Sequence, residues 1–276
     1  MKRIHKAAML QYVIILIFIA IWETAPRLQW VNPFFIPPFS EVVKTGWKLT
    51  AAGTLPFHAV ISIERACGGF AAAILLGIPL GVILGSWFER LKRVLEPVLE
   101  VLSQINPFIL FHILLLFLGI GETVKIMIIA WTCIWPIVFC TVAGIRNIDP
   151  LLVKAARAFG INRWRLLTGV TIPAAGPAIF TGLRISAGYS LFMLIAAEMM
   201  GCASGLGWFI LNSQENYKVP DIFAAALTIA LLGLGLDALL HSLEKKWIVA
   251  TDDGVSAGAH FPNILATRLK HRGIGP

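Results

Sequence analysis

The sequence predicts an all-α polytopic membrane protein with about six transmembrane helices. Three observations carry that prediction. Apolar residues make up 58% of the 276-residue chain and charged residues only 14%, where a soluble domain has roughly half and a quarter. Mean hydropathy is +0.80. Six stretches match, or nearly match, the roughly 20 apolar residues that a helix needs to cross a hydrocarbon core.

The first span, Ala7–Ala25, stands behind Lys2, Arg3 and Lys6. It reads as an uncleaved anchor, because Pro26 follows directly on the Glu23-Thr24-Ala25 stretch where a signal peptide would need a small-residue cleavage site. The second, Ala66–Trp87, follows an amphipathic lead-in from His58. Gly69, Ala73, Gly77, Gly81 and Gly85 recur every four residues along it, a row that lies on one helix face and admits a neighbouring backbone. The third, Pro107–Ile120, is short and is expected to reach back through Val101 and Leu102 with a kink at Asn106-Pro107. The fourth is Thr123–Ile145, the fifth Ala174–Met199 and the sixth Ile222–Leu243. The Pro- and Trp-bearing segment after the first span and the segment from Gly201 to Asp221 read as outer loops. After Thr251 the apolar pattern ends, which predicts a loose cytoplasmic tail. The expected organisation is therefore 1–57 as a first helix and outer loop, 58–247 as a core of spans, and 248–276 as the tail.

The net charge of +8 is not that of a nucleic-acid binder, because its basic residues flank apolar spans rather than interleave with aromatics in a groove. With the N-terminus inside, the inner segments hold Lys2, Arg3, Lys6, Arg90, Lys92, Arg93, Arg146, Lys154, Arg157, Arg163, Arg165, Lys245 and Lys246. The outer ones hold only Arg27, Lys44, Lys48, Lys125 and Lys218, so the positive-inside bias places both termini in the cytoplasm. The four cysteines are scattered, with neither a CxxC pair nor a histidine cluster, and read as buried thiols rather than as a disulfide or metal site.

Ionisable residues within spans are suspects for function. Glu64 and Arg65 fall at the outer mouth of the second span, where long side chains snorkel at little cost. Arg184 and Glu198 share a face of the fifth span but lie about 20 Å apart by helical rise, so they are expected to sit at its two ends and not to pair. Asp237 and His241 are spaced to touch. His112 falls in the third span and reads either as an imidazole bonded to a neighbouring helix or as a polar contact along a pathway.

Between the fourth and fifth spans lies a polar island, DPLLVKAARAFGINRWRLLTGVTIP, Asp149–Pro173. Asp149 is a good N-cap and Pro150 a good first-turn residue. LLVKAARAF then makes a short helix, Gly160 stops it, and Asn162 is placed to cap a second helix leading to Pro173. Leu152, Ala155, Ala156 and Phe159 share one face. Paired alanines suit a protein groove better than lipid, which favours large apolar residues, and the arginines can then pair with acidic groups on a partner.

KAARAFGINRWRLLTGVTIP resembles the cytoplasmic coupling loop of binding-protein-dependent ABC importer permeases, whose pattern is Glu-Ala-Ala, three residues and Gly, with Pro downstream; Ala155, Ala156, Gly160 and Pro173 fall in register. HAVISIERACGGFAAAILLGIPLGVILG, GPAIFTGLRISAG and AAEMMGCASGLGWFI resemble the aliphatic sulfonate, nitrate and taurine branch, so the likeness covers His58–Trp247. Lys154 departs from the pattern, standing where the family has its acidic residue, and Asn106 and His112 depart from a run that is usually apolar and rich in proline. The resemblance implies a type I importer transmembrane domain and an inner-membrane location in a bacterium. It implies a homodimer, a cytoplasmic ATPase subunit that binds the ATP, and an extracytoplasmic substrate-binding protein. It assigns Lys154, Ala155, Ala156, Arg157, Gly160, Arg163 and Pro173 to the ATPase-coupling loop. Candidates for the pathway or its gate are His112, Arg184, Glu198, Gly205 and Gly207.

The absent motifs agree. The chain has no GxxxxGK[ST] and no HExxH, so no P-loop and no common metalloprotease signature. No cofactor or metal is expected, and the chain reads as a transport subunit rather than an enzyme. The alternative is a carrier driven by an ion gradient without an ATPase; no inverted pair of broken helices is evident and few buried carboxylates could bind a coupling ion, so a borrowed motor fits better.

Overall fold

The computed structural model describes residues 2–86 and 89–258, and among them the chain is helical with no strand. Helices α1 (Lys2–Arg27), α2 (Phe39–Ala51), α3 (Thr54–Ser86), α4 (Glu89–Ser103), α5 (Pro107–Leu118) and α6 (Glu122–Arg146) lead to α7 (Pro150–Ala158) and α8 (Arg163–Leu166). A π-helical turn at Leu167–Thr171 runs into α9 (Ile172–Met199), followed by α10 (Leu206–Glu215) and α11 (Val219–Gly258). Among the described residues, four helices are long and apolar enough to cross a membrane: Thr54–Ser86, Glu122–Arg146, Arg163–Met199 and Val219–Trp247. Helix α1 covers the first expected span.

The third expected span differs from its prediction. Val94–Ser103 and Pro107–Leu118 meet at 83°, a corner rather than a kink, and make a fifth crossing only if both halves serve one span. Asn106 accepts from the Phe108 amide and Pro107 occupies the first turn, so this pair starts a new helix instead of bending an old one. The two segments expected to be outer loops also contain helices, α2 and α10. Residues 251–258 continue α11; the rest of the expected tail, 259–276, lies outside the described residues.

The chain divides into two compact units. The first gathers α1, α2, α3 to Phe70, α5, α6 to Thr132, α9 from Tyr189, α10 and α11 to Leu234. Its core is Leu55, Leu206, Phe209 and Ala225. Trp22 ties α1 to α2, packing on Phe39 and donating to the Pro37 carbonyl at 3.1 Å. Glu23 accepts from the Ser40 amide at 2.9 Å, so an acidic group from α1 sits at the positive end of α2. In the same unit Gly69 lies directly on Ile129 of α6.

The second unit gathers α3 from Ala71, α4, α6 from Cys133, α7, α8, α9 to Gly188 and α11 from Gly235. Here Gly77 faces Ile137, Gly81 faces Thr141 and Gly85 faces Ile145, each partner 60 residues further on, so α3 and α6 run parallel in contact. Gly144 faces Ala178 and Gly182 faces Cys140, an antiparallel pairing of α6 with α9. The glycine row is thus the packing surface of α3, where small residues substitute for the hydrophobic drive that lipid cannot supply between helices. Of the cysteines expected to be buried, Cys133 is, donating to the Ser186 carbonyl, whereas Cys140 and Cys202 are half-buried and Cys67 is exposed.

A methyl group at Gly81 would come within 2.6 Å of Thr141 Cβ and 3.1 Å of the Val138 carbonyl, whereas one at Gly121 meets nothing within 4 Å. Gly81→Ala is therefore expected to lower the thermal midpoint of the purified protein by about 2–10 °C, and Gly121→Ala to leave it within about 1 °C. Differential scanning fluorimetry in detergent checks the pair.

Candidate functional site

The polar island folds much as its local signals dictate. Asp149 accepts from the Leu151 amide at 2.8 Å and Pro150 opens α7. At the other end Gly160 has φ +75°, its amide bonds the Arg157 carbonyl, and the Ile161 amide bonds the Ala156 carbonyl. That pair of bonds is a Schellman motif, and it satisfies carbonyls that a nine-residue helix would otherwise leave unpaired. Asn162 occupies the N-cap of α8 but makes no side-chain capping bond, contrary to its expected role.

The expected apolar face is divided. Leu152, Ala155 and Phe159 are exposed together with Leu151, and Phe159 is 83% exposed at the tip; Ala156 instead turns inward, 8% exposed. Trp164 of α8 is exposed as well, an aromatic that the sequence reading passed over. Lys154 is exposed. Arg157 and Arg163 line an open cavity of about 630 Å³ behind α7, with Val153, Leu166, Leu167 and Thr171. Pro173 lies inside a helical path that is continuous from Arg163, rather than at the start of the span. Proline cannot donate to the carbonyl four residues back and crowds it, and the wider π turn directly ahead absorbs the misfit. The Thr171 hydroxyl donates to the Leu166 carbonyl at 3.2 Å across that turn.

In the second unit Arg184 also bridges α9 to α11. It contacts Asp237 at 3.1 Å, Glu244 at 2.8 Å and His241 Nδ1 at 3.0 Å. Asp237 and His241, spaced to touch one another, instead converge on this arginine. In the first unit His112 is exposed, and its Nδ1 meets the carbonyl of Phe108 in its own helix at 2.7 Å rather than a neighbouring helix.

Glu198, Gly205 and Gly207 come together in the first unit. Glu198 is 0% exposed and its carboxylate accepts from Ser62 Oγ at 2.8 Å, Arg65 Nη1 at 2.8 Å and the Gly207 amide at 2.9 Å. Arg65 is 6% exposed; it forks onto Glu122 with Nε and Nη2, and Nη1 also donates to the Ser204 carbonyl at 2.7 Å. It does not snorkel as its position had implied. Lys125 completes the charge balance against Glu122 at 2.9 Å. The Leu206 amide donates to Ser62 Oγ, and the Gly205 amide to His58 Nδ1 at 3.1 Å. So the first amides of α10 are capped by side chains of α3 and α9, with the carboxylate at the positive helix end. Gly205 has φ +115°, and a side chain there would overlap the Glu198 carboxylate; one at Gly207 would sit 2.6 Å from the Ile195 carbonyl. The sequence reading missed His58, Ser62 and Glu122 and misplaced Arg65; the signal available for the α3 residues was their spacing along one face at positions 58, 62 and 65, and none pointed to Glu122 on α6.

Residues 77–249 match the family described as the binding-protein-dependent transport system inner membrane component. The chain is 30% identical over 237 residues to the taurine transport system permease protein TauC of Escherichia coli, covering 83% of this chain and 85% of that one. It is 34% identical over 189 residues to the nitrate import permease protein NrtB of Synechocystis, covering 68% of each. Among solved structures, a chain of the MetNI methionine ABC transporter in an inward-facing conformation superposes with a TM-score of 0.58 at 18% identity, over 69% of this chain and 92% of that one.

Removing the Asp149 cap is expected to fray α7 by about 1 kcal/mol, so Asp149→Ala should speed amide exchange in its first turn about fivefold while Asp149→Asn leaves it near wild type. Hydrogen-exchange mass spectrometry of the Leu151–Ala156 region checks this.

Proposed function

The chain belongs to the binding-protein-dependent transport system inner membrane component family, and we propose that it is the permease subunit of an ATP-driven ABC importer. Two copies surround the path, in the inner membrane of a bacterium, with both termini cytoplasmic. A separate cytoplasmic subunit binds and hydrolyses ATP. An extracytoplasmic binding protein delivers the solute, a small anion of the sulfonate, taurine or nitrate kind, as the names of the relatives suggest. The family assignment leaves the ion-driven carrier without support.

The observation that carries the reading is α7: a helix capped at both ends, set between two apolar spans, presenting Leu151, Leu152 and Phe159 uncovered. A helix so short is marginal alone, and its caps hold a rigid apolar knob in place. ATP-driven closure of the ATPase subunits pushes the two α7 helices together, and the spans rock to open the path outward. In this reading Arg157 and Arg163 pair with acidic groups of the ATPase. Lys154 reverses the usual charge and calls for an acidic residue opposite it. The push reaches α9 directly, because Arg163–Met199 is one uninterrupted helical path of 37 residues.

Co-reconstitution with the ATPase subunit and the binding protein in liposomes tests the reading: uptake of labelled taurine or nitrate is expected only with ATP and binding protein present. Gly160 has open space around it, so only its backbone constrains it. Gly160→Asn, which tolerates positive φ, is expected to keep transport, and Gly160→Val to lower it about tenfold while basal ATPase activity persists. Full transport with Gly160→Val rules out the coupling role.

A further inference from the structure

We propose that Arg65, acting with Ser62, positions the outer gate of the permease: it anchors the segment Gly201–Gly207 by gripping Glu198. This rests on the reading of the chain as a permease whose α9–α10 connection lies on the outer face. It adds two residues that neither the motifs nor the relatives assign.

The first support is cost. A carboxylate and a guanidinium sealed in membrane-spanning helices are expensive, and well-packed apolar residues of similar volume would serve a purely structural purpose as well or better. What the ionic arrangement adds is a single permitted geometry. Arg65 offers a planar fork, and here all three nitrogens are engaged: Nε and Nη2 by Glu122 at the start of α6, and Nη1 by both Glu198 at the end of α9 and the Ser204 carbonyl in the connecting segment. The second support is reach. Glu198 is bonded both to Arg65 and to the Gly207 amide, and Ser62 both to Glu198 and to the Leu206 amide. Withdrawing Arg65 therefore loosens α10 at its first turn, not merely one ion pair. The third is fit. Neither Gly205 nor Gly207 has room for a side chain, so the segment has been brought as close to Glu198 as backbone allows. Arg65 consequently makes the ends of α3, α6 and α9 and the start of α10 move as one piece when the path opens. A lysine cannot reproduce this, because one ammonium cannot span two carboxylates and a carbonyl.

The native Cys202 lies within the anchored segment and is half-buried, so its thiol reports on the anchor. Labelling by a membrane-impermeant maleimide, quantified at the Cys202 peptide by mass spectrometry, is compared in whole cells for wild type, Arg65→Lys, Glu198→Gln and Ser62→Ala, with Glu64→Gln as an exposed neighbouring control. Membrane level and co-purification with the ATPase subunit verify folding. Arg65→Lys and Glu198→Gln are expected to label at least about tenfold faster, and to lose binding-protein-stimulated ATPase activity and uptake while basal ATPase activity stays. Ser62→Ala, which removes one hydroxyl, is expected to label about threefold faster and decides the matter should the charged variants not accumulate. Wild-type labelling in the variants that fold overturns the anchor; faster labelling with wild-type uptake overturns its role in the gate. Failure of the wild-type complex to import with ATP counts against the permease reading alone, since the labelling arm needs no transport.

Discussion

Glu198 has no exposed surface, and a carboxylate in that position exists only where donors already surround it. A hydrocarbon solvent offers no water to an unpaired group, so each polar atom within a span must find its partner in the chain. The first unit is organised around that requirement. Ser62, Arg65 and the Gly207 amide converge on one carboxylate, and in doing so they fix where α10 begins. The corner between Ser103 and Pro107 and the ends of α7 obey the same demand on a smaller scale, through Asn106, Asp149 and the bonds around Gly160.

The spans are held by closeness of backbone more than by bulk. Gly77, Gly81 and Gly85 seat α6 on α3, while Gly144 and Gly182 seat α9 on α6. One helix therefore has small residues on one side and receives a neighbour on the other. Away from that seam, α3 carries large side chains such as Leu75 and Leu76 exposed.

What the sequence made legible was local. Asp149-Pro150 and Gly160 announce the ends of α7 because a cap and a positive φ are properties of a few neighbouring residues. The glycine row announced a contact surface because its period is that of a helix. What was not legible depends on distant partners. Arg65 looked like a snorkelling cation because its acceptor Glu198 is 133 residues away. The α10 helix looked like loop because its start is set by Ser62 and Glu198 rather than by a cap of its own; Gly205 makes no side-chain capping bond. Asn106-Pro107 was ambiguous in kind, since proline can bend a helix or begin one, and the polar asparagine ahead of it tips the balance to a beginning.

The π turn at Leu167–Thr171 has a further consequence for how this chain tolerates length change. Such a turn holds one residue more than an α-helix needs, and deleting that residue returns the path to regular α geometry with everything downstream still aimed as before. The same deletion a few turns later, within α9, would swing the remainder of the rod by about 100° about its axis and carry Glu198 away from Arg65. The rod thus has one slack link near its N-terminal root and none beyond it, which confines tolerated insertions and deletions to the neighbourhood of Pro173.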